Sequence, residues 1–590
     1  MFHQSCVRVF FGMRARSFLM VVVVLFLFEL QAQARIYVVT DTNDTTKITS
    51  LRGAIIDANR HGGNNTIILG QQRSPRVYQL AISGGDEDAA RTGDLDITRA
   101  NLTIMGIGSN VAIDATGLGD RVFQVFPHAS LTLENLTITG GTAPQAQFGS
   151  FYTPTKGAEN GGAIYNGGVL MLKDCVITNN SSGGGNGNPG NGGGTSGGDG
   201  GGIYNSGTLT MANCIVAGNS SGTGADGASG GNGGGIKNDG ACYLTDCVIS
   251  ENQSGAGGAP DGNAFGFGGS GGDGGGIYNS GTIVLNNCIV SVNTSGQGIS
   301  GGDPEGLITL SAPGGWGGSG GDGSGIYNAG QMRLNFSAVD GNSCGNGGDG
   351  GSFGTGGNAR AGGSGFGDFG GGASGTSGGG GGGIYNAGSL DLTSCTIALN
   401  QTGVGGNGGN TDRSLNNSSA TSGGQGGDGG GILNDTSSTN VTMRNTLIAL
   451  NTASAGGLGG TNVNDFTQQE TIGDAGSPGF GPDLAGDFTS QKFNLIGEAD
   501  DSTGFTNGMN ADQVGSIASP INPLIGPLQM NGGPTPTHAL LAGSPAVDQG
   551  KSFGVHTDQR GHHRPYNYTA IPNAPGGDGS DIGAFELGAR

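Results

Sequence analysis

The sequence predicts an all-β protein built as a right-handed parallel β-helix, a solenoid with a capping helix at its N-terminal end and glycine-rich insertions on one corner. Three observations lead to this prediction. A unit containing an IYN triplet recurs along the chain, as in GGGIYNSGTLTMANCIVAGN at residues 200–219. Apolar residues alternate inside each unit, which is typical of a strand with one buried face. Glycine supplies 132 of the 590 residues and is concentrated between the units, so the short units must stack on one another to bury a core.

Residues 1–34 are predicted to be a secretory signal peptide. Arg8, Arg14 and Arg16 precede an apolar run at Phe18–Phe28, and the small-x-small sequence AQA follows at residues 32–34. The apolar run is shorter than the roughly 20 residues that a membrane-spanning helix needs, and no later segment is long and apolar enough. We therefore expect an extracellular or cell-surface protein without a membrane-spanning segment after signal cleavage.

The formal net charge of −21 restricts the partners. An acidic chain repels nucleic acid and anionic lipid, so neither is expected to bind. A polysaccharide or another cell-surface component is the expected partner, with polyanionic sugars disfavoured.

Residues 35–100 are predicted to form the N-terminal cap and the first coils. Ser50 has the position of a helix N-cap, and Leu51, Ile55 and Ile56 fall on one face of the helix that follows. This helix is expected to cover the open first coil, whose edge would otherwise recruit other strands.

Residues 101–460 carry the repeats, which predict three columns of stacked side chains. The first column comprises the IYN asparagines and their equivalents: Asn166, Asn205, Asn238, Asn279, Asn328, Asn386 and Asn434. Nine residues later stand Cys175, Cys214, Cys247, Cys288 and Cys395, with Ser337 and Thr446 in the same column and Leu136 in the corresponding place of an earlier coil. Fourteen residues after the first column stand Asn180, Asn219, Asn252, Asn293, Asn342 and Asn400. The last repeat carries three extra residues, which put Thr446 and Asn451 in these two columns.

Successive coils lie about 4.8 Å apart, so stacked asparagine amides are expected to hydrogen-bond along the axis. Two interpretations remain for the cysteines: buried free thiols that act as small core residues, or the disulfides common in exported proteins. Ser337 and Thr446 replace cysteine in this column, and no second cysteine is lost with either of them, as a disulfide would require. This favours free thiols. Cys242 and Cys344 lie off the column.

The glycine-rich blocks follow the second asparagine column. They have two interpretations: flexible loops on one side of the solenoid, or extended polyglycine-like strands that pair because no side chain keeps them apart. They lie at residues 181–200, 220–235, 253–276, 294–325, 343–383 and 401–431.

A second set of polar residues lies six positions before the first asparagine column. It comprises Asp199, Asp273, Asp322 and Asp428, with Asn160 and Asn232 in two other repeats. A carboxylate column of this kind suggests calcium. However, calcium-binding repeats carry a large apolar residue two positions after the aspartate, and this chain does not have one there. We expect solvated turn residues and no cofactor.

Residues 461–590 are predicted to form the last coils and a closing region with a polar cluster. The cluster contains Asp548, Asp558, Arg560, Arg564, Asp581 and Glu586, with His538, His556, His562 and His563 nearby. A histidine–carboxylate acid–base pair and a metal site are two interpretations. Arginine–carboxylate pairs that close the last coil are the favoured one.

Outward-facing carboxylates do not predict a catalytic pair. Asp174, Asp246 and Asp391 share one column with Asn213 and Asn287, but these carboxylates sit on well-separated coils. Glycoside hydrolysis needs two carboxylates about 5–10 Å apart, so no catalytic residue is assigned.

Two flanking motifs resemble one known family. SLRGAIIDANRHGGNNTI, at residues 50–67, resembles the CSLREAI-like N-terminal motif of exported bacterial β-helix proteins, with Thr49 where a cysteine can stand and Gly53 within the motif. GPLQMNGGPTPTHALLAGSPAVDQG, TDQRGHHRPYN and SDIGAFELG are similar to the choice-of-anchor Q C-terminal region. The resemblance implies a pectate-lyase-like β-helix at a bacterial surface and implies no catalytic residue.

The sequence therefore favours a non-catalytic, adhesin-like surface or matrix protein that presents a repetitive polar surface. The alternative is a polysaccharide lyase or glycoside hydrolase with the same fold, which rests on fold analogy.

Overall fold

A computed structural model describes most of the chain. The described residues are 34–70, 76–85, 87–148, 154–187, 193–260, 266–303, 314–352, 372–414, 420–435, 440–464 and 467–589. The predicted signal peptide lies outside them, apart from Ala34. Within these ranges, no helix combines the length and the apolar character needed to cross a membrane.

The described residues form three long parallel sheets, which confirms the predicted β-helix. Sheet 1 contains Ile36–Val38, Gly63–Leu69, Ala100–Gly106, Ser130–Glu134, Val169–Lys173, Thr208–Ala212, Ala241–Thr245, Thr282–Asn286, Gln331–Asn335, Ser389–Thr393, Val441–Arg444 and Thr489–Ser490. Sheet 2 contains Val77–Gln79, Ala112–Asp114, Thr137–Thr139, Val176–Thr178, Ile215–Ala217, Val248–Ser250, Ile289–Ser291, Ala338–Asp340, Thr396–Ala398, Leu447–Ala449, Leu495–Ile496 and Gln513–Val514. Sheet 3 contains Leu95–Ile97, Phe123–Val125, Ile164–Asn166, Ile203–Asn205, Ile236–Asn238, Ile277–Asn279, Ile326–Asn328, Ile384–Asn386, Ile432–Asn434, Leu484–Asp487 and Ser502–Thr503.

Each coil passes through sheet 3, sheet 1 and sheet 2 and then enters a glycine-rich insertion. All insertions therefore leave the solenoid at the corner between sheets 2 and 3. Equivalent residues pair in register from coil to coil, as Asn166 with Asn205 and Leu170 with Leu209. Parallel crossovers of this kind are right-handed. Leu209 and Met211 point inward and are buried, so the alternation in the sequence becomes one continuous core.

The helix Leu51–His61, labelled α1, caps the N-terminal end as expected. Ser50 is its N-cap, and the Ser50 hydroxyl accepts a hydrogen bond from the Gly53 N–H. A Cβ at Gly53 would lie 1.9 Å from the Lys47 carbonyl oxygen, which explains the glycine at this position. Arg52, in the first turn of α1, is buried, and its Nε lies 2.7 Å from Asp44 Oδ1.

Shorter elements decorate the solenoid. They are the hairpins Gln147–Phe148 with Pro154–Lys156 and Ile525–Gln529 with Thr537–Leu540, the strands Thr411–Ser414, Thr461–Asn464 and Glu470–Ile472, and the 3₁₀ helix Met509–Ala511.

The C-terminal region was predicted to close the last coil, but it lies along the side of the solenoid. His538 Nε2 lies 2.8 Å from Asp340 Oδ1, and the Ala584 N–H donates to Thr396 Oγ1. Further along, Asn445 Nδ2 donates to the Asp581 carbonyl. The region thus covers the outer face of sheet 2, where the strands from residue 289 onward are buried on both faces.

Candidate functional site

The first asparagine column is a hydrogen-bonded ladder. Each Nδ2 donates to the Oδ1 of the next coil at 2.6–2.9 Å, from Asn166 to Asn434, and the last one donates to the Asp487 carbonyl. All seven side chains are buried. An unpaired buried amide costs about 1–3 kcal/mol, so the ladder is structural.

The second asparagine column, which starts at Asn180, repeats this arrangement and ends on a carboxylate. Asn451 Nδ2 donates to Asp483 Oδ1 at 2.8 Å, and the other Asp483 oxygen accepts the Glu498 N–H. Burial raises the pKa of Asp483 to about 6. Asp483 therefore occupies the position of the next asparagine in the column.

The cysteine column consists of buried free thiols. The Cys175 N–H donates to the Cys214 sulfur, the Cys288 N–H donates to Ser337 Oγ, and the Cys395 N–H donates to Thr446 Oγ1. Burial raises the pKa of the Cys395 thiol to about 12, which suppresses the reactive thiolate. Cys242 and Cys344 are also buried and free.

The glycine-rich insertions form an ordered two-layer array of extended segments. In residues 402–409 successive N–H groups point in three directions: Gly405 donates to Ala455, Gly406 to Thr376 and Asn407 to the Asp349 side chain. Hydrogen bonds that recur every third residue between segments, with none inside a segment, are those expected for packed polyproline II helices with three residues per turn.

Glycine is required where two layers meet. A Cβ on Gly255 would lie 1.9 Å from the Gly222 carbonyl oxygen, and one on Gly403 would lie 1.9 Å from the Gly345 oxygen. These distances are far below van der Waals contact. The flexible-loop interpretation is therefore wrong for the described parts of these blocks.

The aspartate column caps backbone N–H groups between coils. Asp199 Oδ1 accepts the Asn232 N–H, Asn232 Oδ1 accepts the Asp273 N–H, and Asp273 Oδ1 accepts the Asp322 N–H, at 2.7–2.9 Å. Burial raises the pKa of Asp273 to about 6 and that of Asp322 to about 7. Asparagine fills the same role as aspartate, so the column's geometry follows from capping rather than from charge. Among the described residues, no group of three His, Cys, Asp or Glu side chains is placed to hold a metal.

Outside this column the array carries two exposed aromatic rings on adjacent coils. Phe267 is 63% exposed and Trp316 is 65% exposed, and the Gly268 N–H donates to the Trp316 carbonyl, which places the two residues side by side. We call these two residues, with Ser270, Ser319, Asp273, Asp322, Tyr278 and Tyr327, the aromatic face.

The aromatic face is built by the three-residue period of the array. At three-residue steps, Phe267 is exposed and Ser270 and Asp273 are half-buried on one coil, and Trp316, Ser319 and Asp322 repeat this exposure on the next. The Ser319 N–H donates to Ser270 Oγ, which keeps the two coils in register. Gly274 then turns the chain into sheet 3 with φ of 65°.

A tyrosine row continues the aromatic face across sheet 3. The rings of Tyr278 and Tyr327 stack at 4.7 Å, and those of Tyr327 and Tyr385 at 4.8 Å. Lys237 occupies the same row with its Nζ 3.9 Å from the centre of the Tyr278 ring. The three tyrosine side chains are half-buried, and burial raises the pKa of Tyr278 to about 12.

The predicted C-terminal cluster is buried and structural. Arg560 pairs with Asp558, and Arg564 pairs with Glu586, each at 2.6 Å. His562 Nδ1 lies 3.2 Å from the Ala589 carbonyl, and the His556 carbonyl accepts a hydrogen bond from the Arg564 N–H. The His538–Asp340 pair raises the pKa of His538 against the lowering effect of burial, but both side chains are buried.

The outward carboxylate column occupies a tight turn before each cysteine. Asp174, Asn213, Asp246 and Asn287 all have φ near 54°, a left-handed conformation that Asn and Asp adopt more readily than most residues. Asn213 Nδ2 donates to Asp174 Oδ1. The prediction that Asp391 shares this column is wrong: Asp391 lies in the strand Ser389–Thr393, where it pairs with Arg333 at 3.2 Å, and Ser394 occupies the turn before Cys395.

Sequence reasoning missed a buried charged cluster near the first coils. Arg121 contacts Asp94 at 3.2 Å and also pairs with Glu159. Asp96 Oδ1 is buried without a hydrogen-bond partner, and burial raises the pKa of Asp96 to about 7. The sequences DLD at residues 94–96 and GDR at residues 119–121 contain Asp94, Asp96 and Arg121. The contacts of these residues join separate coils, which the local sequence does not reveal.

Sequence reasoning also missed the aromatic face. FGGSGGDG at residues 267–274 and WGGSGGDG at residues 316–323 share one pattern, which was a usable signal. The outward direction of positions 267, 270 and 273 depends on the three-residue period of the array.

Comparisons with known proteins add no family assignment. No family model and no curated protein matches the chain. Escherichia coli YbhC is similar in structure at 10% identity, with a TM-score of 0.21 over 51% of this chain and 72% of that one. The A-module of the mannuronan C-5 epimerase AlgE6 from Azotobacter vinelandii is similar at 13% identity, with a TM-score of 0.26 over 78% of this chain and 96% of that one. These scores carry no functional argument, and the fold rests on the strand register described above.

Proposed function

We propose that the protein is an exported, non-catalytic β-helix that binds polysaccharide on its aromatic face, as a surface or matrix protein. The observation that carries this proposal is the pair of exposed aromatic rings, Phe267 and Trp316, on adjacent coils of a rigid glycine array. A soluble protein gains little stability from exposing a large ring, so exposed aromatic residues in a polar surround indicate recognition.

The chemistry around the pair suits a sugar chain. Aromatic rings contact the apolar C–H face of a pyranose, while neighbouring hydroxyl and carboxylate groups bind its hydroxyls. A polyproline II helix rises about 3.1 Å per residue, so Ser270 and Asp273 lie about 9 Å and about 19 Å from Phe267 along the segment. Such a strip accommodates several sugar units lying along the segment.

The role of the aspartates supports binding without cleavage. One oxygen of Asp273 is engaged by the Asp322 N–H, and one oxygen of Asp322 is engaged by the Gly380 N–H. Asn160 and Asn232 fill equivalent positions, so the column does not require a titratable acid. A glycosidase pair needs a free nucleophile and a separate acid, which this shared capping role does not supply.

The test uses Trp316, the only tryptophan of the chain. Titration with soluble neutral glucans, galactomannan, pectin and alginate is expected to change the Trp316 fluorescence with at least one neutral glycan. No reducing or unsaturated sugar is expected to be released.

Trp316→Ala should weaken binding at least tenfold by calorimetry. Tyr243→Ala, which removes an aromatic ring exposed by 45% on sheet 1, is the matched control and should bind normally. Equal binding by both variants would refute the site. Sugar release that is lost in Asp322→Asn would instead support the enzyme.

A further inference from the structure

The glycine array ends at an unfilled position. In each insertion, an outgoing segment leaves sheet 2 and a returning segment leads back to sheet 3. Inside the array, the outgoing segment of one coil packs against the outgoing and returning segments of the preceding coil. Residues 401–409 illustrate a filled position, since their carbonyls accept hydrogen bonds from the N–H groups of Cys344, Gly347 and Gly350. The same residues donate to the carbonyls of Ala373, Thr376 and Gly379.

The last coil repeats this geometry without an occupant. Among the described residues, six backbone groups that are equivalent to those just described have no hydrogen-bond partner: the N–H groups of Ala453, Gly456 and Gly459 and the carbonyls of Gly473, Gly476 and Gly479. They form a groove between segments 453–459 and 473–479, which we call the array edge.

Residues that line the array edge are more exposed than the equivalent residues inside the array. Residues 402, 405 and 408 are buried, whereas their equivalents at 453, 456 and 459 are half-buried. The array edge therefore faces solvent and no other described part of the chain covers it. Unpaired N–H and C=O rows recruit a matching backbone, as the edge strand of a sheet does.

We propose that the array edge binds a glycine-rich polyproline II segment of a partner protein, with glycine at every third residue. The three donors and three acceptors recur at the three-residue spacing of that conformation. In a filled position a Cβ at Gly403 or Gly406 would lie 1.9 Å or 2.0 Å from a carbonyl oxygen of the neighbouring segment. The partner segment must carry glycine at the corresponding positions for the same reason.

The test uses a fluorescent peptide of sequence TGVGGNGGN, which copies residues 402–410, and fluorescence anisotropy with the full chain. The wild type should bind this peptide, and a peptide with alanine in place of both Gly403 and Gly406 should not bind. Equal binding of the two peptides, or no binding of either, would overturn the proposal.

Two proline variants separate the array edge from general damage to the segment. Ala453→Pro removes one donor of the edge and should weaken peptide binding at least tenfold. Ala455→Pro removes an N–H of the neighbouring column. The equivalent N–H one coil earlier, that of Val404, donates to the Asn346 side chain on the outer surface, so this variant should bind normally. Unchanged binding by Ala453→Pro would overturn the proposal, as would a dimer of the wild type that Ala453→Pro abolishes.

Discussion

Replacing Gly255 by alanine tests the packing of the glycine array. The new Cβ would lie 1.9 Å from the Gly222 carbonyl oxygen and 2.7 Å from the Gly231 nitrogen. Ordinary contact begins near 3.4 Å, so the segments must separate by about 1.5 Å. The Gly255 N–H···O bond to Gly231 and the bond that Gly272 donates to Gly255, at 2.9 Å and 2.8 Å, would then break.

The expected cost is about 3–5 kcal/mol. Each lost bond contributes about 1 kcal/mol, and forcing extra volume into a packed site adds about 1–3 kcal/mol. Gly184→Ala is the matched control in the same array, because its Cβ would meet no heavy atom closer than 3.8 Å. That variant should be neutral or slightly more stable.

The assay is urea unfolding followed by circular dichroism, with both variants compared at the same protein concentration. Gly255→Ala should unfold at a lower midpoint than the wild type, while Gly184→Ala should not. Equal midpoints for the two variants would refute the packed array. Repeat proteins can unfold in stages, so the first transition is the one to compare.

Three further predictions concern the columns. Asn279→Ala should lower the free energy of unfolding by about 2–3 kcal/mol in the same urea assay, because it removes the hydrogen bond from Asn238 Nδ2 to Asn279 and the one from Asn279 Nδ2 to Asn328; a loss below about 0.5 kcal/mol would contradict the ladder. Burial raises the pKa of Asp322 to about 7, so the folded state binds its proton more tightly than the unfolded state and stability should fall as pH rises from about 4 to about 8. Asp322→Asn should reduce this slope in thermal melts, and an unchanged slope would contradict the assignment. Cys288→Ser should cost less than about 1.5 kcal/mol, because Ser337 already occupies this column, and thiol reagents should label the wild type only after unfolding; rapid labelling of the native protein would show that the thiols are accessible.

The fold was predictable because its signals are local and repeated. Alternation such as that of Leu209 and Met211 identifies a strand, and the constant interval from the IYN asparagine to the cysteine identifies one module. Stacking at a fixed spacing then places equivalent side chains in columns.

The C-terminal region was not predictable in the same way. Its anchor joins His538 to Asp340, which are 198 residues apart, and no periodicity links them. The arginine–carboxylate pairs were expected, but an arginine with a nearby acid does not say which surface of the solenoid the pair packs against.

The candidate site was only partly readable. The aspartate column was visible as a spacing, but its role depends on an N–H from the next coil, 49 residues later in the case of Asp273. The outward direction of Trp316 follows from a three-residue period that glycine itself does not reveal. Composition alone permits both a flexible loop and a packed segment.

Hydrogen exchange of the glycine segments, read by mass spectrometry, tests the central claim most directly. We expect peptides covering residues 220–235, 253–260 and 266–276 to be protected as strongly as the strands of sheet 1. Exchange of these peptides at the rate of an unstructured chain would contradict the ordered array, and with it both the aromatic face and the array edge.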